Sequence, residues 1–242
     1  MTNLIRSEWI KFRTVRSTLV LLFTGGLLTV VIALLVINDI KGQNREFNLT
    51  DISFGVQLSV FLFGALGVQV LGQEYRFSTI RNTFSASPVR WKVLVAKLIV
   101  VCSACAAMGL AMMLVCVGLG SMFLDGFTID SVDQRVIWAT ALFAAGWAGM
   151  GLGLGAILRQ PIAGIIILLG EAFIAEGIIA NLFHGTAKWM PFLNGIQMTM
   201  RNEARNTAPP VFRDMFEGGV YFFVVVAIVL AIGFVLAEKR DA

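Results

Sequence analysis

Charge is scarce in this chain. Asp, Glu, Lys and Arg make up 14% of its 242 residues, against 57% hydrophobic ones. A soluble domain carries about 25% charged and about 45–50% apolar residues. So few polar side chains are unable to cover a water-facing surface, which excludes an ordinary soluble fold. Histidine is limited to His184 and cysteine to Cys102, Cys105 and Cys116. Cys102 and Cys105 have CxxC spacing, but no second pair follows, and all three thiols sit in one apolar stretch. They read as packing cysteines, and no metal site is expected. A GxxxxGK[ST] phosphate loop is missing too. The run Gly185-Thr186-Ala187-Lys188 lacks its glycine and hydroxyl spacing. No catalytic residues are expected: an intramembrane enzyme needs a nucleophile–base pair or metal ligands at membrane depth, and the sequence offers neither.

Long apolar runs are what the chain does have. A spanning helix needs about 20 mostly apolar residues. Six such runs cover 18–37, 52–72, 93–119, 136–158, 162–183 and 219–237. The expected fold is an all-α membrane protein, one transmembrane domain over 1–242. Pro161 allows a tight hairpin between the fourth and fifth runs, because proline suits the first turn of a helix. The first run has a long basic lead and reads as an uncleaved signal-anchor.

The net charge of +4 does not point to nucleic acid, because the basic residues flank the apolar runs. Arg6, Lys11, Arg13, Arg16, Arg76, Arg81, Arg90, Lys92, Lys97, Arg159, Lys239 and Arg240 fall on one side. Lys41, Arg45, Arg135, Lys188, Arg201, Arg205 and Arg213 fall on the other, over longer loops. The bias places both termini in the cytoplasm. The fourth run contains Gly149, Gly151, Gly153 and Gly155, which make two GxxxG pairs. Such pairs let helices approach closely, within one chain or between subunits.

Two hydrophilic segments stand out. In 1–17, Ile5, Trp9 and Phe12 fall on one helical stripe, with Arg6 and Arg13 beside it. That suits a helix lying in the membrane interface, although a basic leader that only sets orientation has the same composition. In 73–92, charges of both signs alternate with Tyr75, Phe77, Ile80 and Phe84, and Ser87-Pro88 forms a turn. A short helix of this kind suits docking to a protein partner, and an ordinary Arg-rich inside loop is the plainer alternative.

The chain resembles the permease subunits of ABC-2 type transporters, bacterial ABC exporters whose permease and ATPase are often separate chains. Glu8-Trp9-Ile10-Lys11-Phe12-Arg13-Thr14-Val15-Arg16-Ser17 is similar to the family's opening E-x-x-K-x-R-[ST]-x-R-S. Glu74-Tyr75-Arg76-Phe77-Ser78-Thr79-Ile80 resembles E-[FY]-R-x-G-T-[IL], with Ser78 in place of the usual glycine. Pro88, Arg90 and Lys97 follow it. Glu176 and Trp189-Met190-Pro191 resemble a fifth-span acid followed by W-[LM]-P.

The resemblance implies an elbow helix at 1–17, carrying Glu8, Trp9, Lys11, Phe12, Arg13 and Arg16. It implies a coupling loop at 73–92, whose helix, over 74–85, sits in a cleft of the ATPase. The residues concerned are Glu74, Tyr75, Arg76, Thr79, Ile80, Arg81, Phe84, Pro88 and Arg90. It implies a re-entrant extracellular segment at 184–218. Two permease copies, as a homodimer in the lipid of a bacterial cytoplasmic membrane, would pair above two ABC ATPase chains. ATP and Mg would be bound by those partners and no cofactor by this chain. The implied function is export of an amphipathic drug, antibiotic or lipid-like substrate.

Within the spans, Glu171, Glu176, Gln57 and Gln69 are the polar interruptions, and Pro191 follows the fifth run. Ionisable residues inside a bilayer tend to face a partner or a wet cavity. Gln57, Gln69, Glu171, Glu176 and Pro191 are candidates for the translocation path or the dimer interface, and for the two acids an orienting hydrogen bond inside the bundle is the alternative. Five residues apart in an α-helix, they are turned by about 140° and do not share a face. A rival function, an ion-coupled carrier or channel, would use the same two acids.

Overall fold

The computed structural model describes residues 1–41, 47–86, 89–183, 186–200 and 215–239. Pro88, His184, Arg45, Arg201, Arg205, Arg213 and Arg240 lie outside them. Helix α1 (Thr2–Thr14) leads into α2 (Arg16–Ile40), the first of six helices, among the described residues, that are long and apolar enough to cross a membrane. After the short α3 (Leu49–Ile52) come α4 (Phe54–Arg76), α5 (Ile80–Ala86), α6 (Arg90–Phe123) and α7 (Ser131–Leu158). The fifth span joins α8 (Pro161–Gly170), a π turn (Glu171–Ala175) and α9 (Glu176–Leu182). A 3₁₀ turn (Ala187–Trp189), α10 (Pro191–Gln197) and α11 (Met215–Lys239) complete the chain. The protein is an all-α membrane protein.

Local chemistry sets the boundaries. Asp130 caps α7 by accepting from the Asp133 amide at 2.9 Å, and Asp133 reaches back to the Asp130 amide at 3.2 Å. Arg159 ends α7 in the left-handed conformation, at φ 58°. Pro161 then opens α8, whose first turn has no use for the missing amide.

The centre of the bundle is α7, flanked by α4, α6 and α11. Of its spanning window 72% is buried, against 22% for the fifth and sixth spans. Glycine is what lets the central helices meet. A Cβ on Gly67 of α4 would fall into the Ala148 carbonyl, and one on Gly151 into the Gly64 carbonyl. Gly155 backs onto the Val68 carbonyl. The other pair, Gly149 and Gly153, faces Val226 and Val229 of α11. Both GxxxG pairs therefore serve packing within the chain, on opposite faces of one helix. The outer helices turn Phe23, Leu27 and Leu35 of α2, Ile166 of α8 and Val224 and Ile228 of α11 outward, an apolar surface suited to lipid.

Candidate functional site

Two polar regions occupy opposite ends of the bundle. The end that holds α1 also gathers the last turn of α4, α5 and the first turns of α6. The amphipathic face of α1 decides the arrangement there. Glu8 and Phe12 are buried and Ile5 is half-buried, whereas Trp9 is 44% exposed. Of the expected stripe, Ile5 and Phe12 face inward as expected, and Glu8 takes the place of Trp9. A charge pair outweighs the burial of the indole: Lys97 of α6 is 1% exposed, and its Nζ donates to Glu8 Oε2 at 2.6 Å and to Glu74 Oε1 at 2.5 Å. Trp9 and Ile10 turn outward, and Arg6, Arg13 and Arg16 are exposed around them. That pattern suits the headgroup layer.

Lys11 completes the cluster. Its Nζ donates to Glu8 Oε1 at 2.7 Å and to Thr83 Oγ1 of α5 at 3.3 Å, and lies 3.5 Å from Glu74 Oε1. Burial alone would lower the Lys11 ammonium. The hydrogen bond to Glu8 and the charge of Glu74 outweigh it and leave the pKa raised above its ordinary 10.5. Two lysines and two glutamates make a neutral set that ties together α1, α4, α5 and α6. The set forms one side of a cavity of about 590 Å³, walled by Phe12, Val70, Val100 and Val101. Beside it, Gln73 Nε2 donates to Ser17 Oγ at 3.3 Å and to Gln69 Oε1 at 3.1 Å, so Gln69 belongs to this end.

The segment after α4 divides by exposure. Glu74, Tyr75 and Arg76 extend α4 rather than opening the next helix. The chain reverses at Ser78, with φ 56°, a left-handed conformation that explains why glycine is usual there. Ile80 and Phe84 are buried against Leu71, Val93 and Leu152. Arg76, Phe77, Thr79 and Arg81 face outward. Arg159 sits 4.8 Å over the Tyr75 ring. Arg90 lies 5.3 Å over Phe84 and donates to the Glu238 carbonyl at 3.1 Å, joining α6 to the end of α11. Lys97 and Thr83 are the members that sequence reading did not single out as a site. A lysine one turn inside an apolar helix, with acids in two otherwise basic segments, was the available signal.

At the far end Glu176 is 1% exposed. Its Oε1 accepts from the Phe192 amide and its Oε2 from the Leu193 amide, both at 2.7 Å. Pro191 opens α10, and Glu176 supplies the anion that the amides of its first turn lack. The Phe192 ring lies 4.6 Å from Phe61 and 4.8 Å from Trp147, so α10 enters the bundle core. The expectation that Glu171 and Glu176 point apart is overturned. The π turn at Glu171–Ala175 winds this stretch more widely than an α-helix, so the α-helical separation of the two acids does not hold. Gln57 is half-buried on α4 and lines a narrow void with Thr140 and Thr199. Among the described residues no group of three metal-ligating side chains gathers.

No curated protein and no solved structure matches the chain. A family model described as ABC-2 family transporter protein matches residues 4–187, from α1 through the fifth span to the turn before α10. The match covers most of the chain and takes in Glu8, Lys11, Glu74, Lys97 and Glu176 in sequence order, so this protein belongs to the ABC-2 transporter family.

Proposed function

We propose that this chain is the lipid-embedded passage of an ATP-driven exporter, working as two copies over two separate ATPase chains. ABC-2 membership makes it the permease component of an ABC transporter, with an ABC ATPase as partner. One observation carries the finer reading: Lys97 is buried between Glu8 and Glu74, so α1, α4 and α6 share one charge cluster beside an outward-facing turn. In this reading α1 is the elbow helix, and α5 with the preceding turn seats on the ATPase. Arg76, Phe77, Thr79 and Arg81 meet the partner. Ile80 and Phe84 anchor the turn to the bundle, and Glu74 and Lys11 link it to α1. ATP, held with Mg by the partners, closes the two ATPases, and the cluster carries their displacement into α4 and α6 as rigid-body rocking. An amphipathic drug, antibiotic or lipid-like molecule then leaves along the groove between the two permeases. Both termini and the cluster face the cytoplasm of a bacterium.

Co-purification with a candidate ABC ATPase tests the assignment. Replacing Arg76 and Arg81 by Ala should abolish complex formation and leave the bundle folded. Replacing Lys97 by Met should preserve the complex but uncouple ATP hydrolysis from transport. Intact assembly and ATPase stimulation in the Arg76/Arg81 variant would remove this turn from the mechanism. An ion-coupled carrier would instead move solute in vesicles that lack any ATPase, driven by a proton gradient.

A further inference from the structure

The cavity beside the charge cluster has a volume of about 590 Å³, within the roughly 300–1,000 Å³ of pockets that hold small ligands. Phe12 of α1, Val15, Val70 of α4 and Val100 and Val101 of α6 give it apolar walls. Thr79 and Asn82 stand exposed at its rim. Protein interiors close-pack, with few gaps larger than a water molecule. Aliphatic walls this far apart forgo dispersion contacts that an apolar guest restores.

Charge and hydrogen bonding set the polarity of that guest. Glu8, Lys11, Glu74 and Lys97 border the cavity and pair with one another, two anions with two cations. A charged guest finds no spare counter-ion there and loses its water on entry. Thr18 differs from these four. It is 3% exposed and lines the cavity, and its hydroxyl makes no hydrogen bond among the described residues. A helical threonine can bond the carbonyl four residues back, as Thr14 does with Ile10 at 2.9 Å. For Thr18 that residue is Thr14, at the end of α1, and the extended backbone of Val15 (φ −77°, ψ 109°) separates the two helices there. The Thr18 hydroxyl is left able both to donate and to accept.

We propose that this cavity binds one uncharged amphiphile: an apolar body against Phe12, Val70, Val100 and Val101, with a hydroxyl or carbonyl oxygen on Thr18. A neutral lipid of the bilayer and an uncharged compound from the cytoplasm share that chemistry. The guest touches α1, α4 and α6, the helices that the charge cluster joins. In the exporter reading, on which this consequence alone rests, that is the place of a regulator of coupling. The cargo leaves elsewhere, between the two permeases.

The test uses the full-length chain in lipid nanodiscs without its ATPase, so its failure leaves the exporter reading untouched. The probe is octanol carrying a diazirine on its chain, photolysed and mapped by mass spectrometry. Saturable labelling is expected on the segments around Phe12, Thr18, Val70 and Val100, above a background on the lipid-facing residues of α2 and α11. Val70→Trp, which adds an indole to the cavity wall, should abolish the saturable part. Thr18→Val, similar in shape but without the hydroxyl, should weaken it about three- to tenfold, the worth of one hydrogen bond. Plain octanol should compete, and octylammonium and octanoate should compete about tenfold less well, for want of a counter-ion. Labelling confined to the background, labelling that either variant leaves unmoved, or equal competition by the charged analogues overturns the proposal. Should Val70→Trp fail to fold, Thr18→Val and the competitors decide the matter alone. Solvent extraction of the chain purified from membranes separates the two sources, each of which supports the site. A neutral lipid retained by the wild type and lost from Thr18→Val marks the bilayer, and labelling without a retained lipid marks the cytoplasm.

Discussion

The two ends of the bundle bury acids by different means. At the end that holds α1, Glu8 and Glu74 are neutralised by the side chains of Lys11 on α1 and Lys97 on α6. At the far end Glu176 is held by the backbone amides of α10. With Thr83 the members of this cluster come from four helices, so any helix that moves must carry the others or break a contact. Amide partners come from one short helix, so that contact is made or lost as a unit. The first arrangement suits passing a displacement along. The second suits holding one element in place.

The largest break in this contrast should come from Lys97→Ala. It leaves Glu8 and Glu74 buried without their central cation, a loss of about 3–5 kcal/mol. Thermal unfolding in detergent should reveal a sharply lowered midpoint, and adding Glu8→Gln should recover part of it. A midpoint near that of the wild type would mean that water, not Lys97, satisfies these acids. Glu176→Ala should cost less, about 1–3 kcal/mol, because it strands two backbone donors rather than a charge. Its effect should be confined to exchange rates in α10, and a uniform loss across the bundle would argue against a local hold.

Lys11→Met should cost about 1 kcal/mol or less, since the side chain is 43% exposed and solvent screens its pairs. The raised Lys11 pKa adds a sign. Its share of stability is complete below the unfolded value and fades only as pH climbs through the folded one. Midpoints compared between neutral pH and strongly alkaline pH should therefore converge for wild type and Lys11→Met. The smallest effect runs the other way. Ser78 holds a left-handed conformation, so Ser78→Gly should stabilise the chain by up to about 1 kcal/mol. A lowered midpoint would mean that the serine side chain has a role of its own at this turn.

The spans were legible because lipid demands apolar length, and hydropathy reports that without regard to tertiary context. The two GxxxG pairs were legible as packing faces, but not their assignment to α4 and α11. The stripe on α1 was misread by one residue. Its orientation is decided by Lys97, 89 residues away, and no local periodicity carries that information. The relation of Glu171 to Glu176 was misread for a related reason. An α-helical wheel assumes 3.6 residues per turn, and nothing in Glu171-Ala-Phe-Ile-Ala175 announces a wider one. The segment around Ser78 was readable as a turn. That Ile80 and Phe84 would face inward, and Arg76, Phe77 and Arg81 outward, needed the packing of α6 and α7.

The glycine contacts on both faces of α7 have a mechanical corollary. Where main chains of neighbouring helices touch, sliding by even part of a turn meets a carbonyl instead of a pliable side chain. α4, α7 and α11 therefore behave as one stiff plate. A displacement delivered to α4 therefore moves the plate as a unit, and the more exposed α8–α9 strip is the margin that can give.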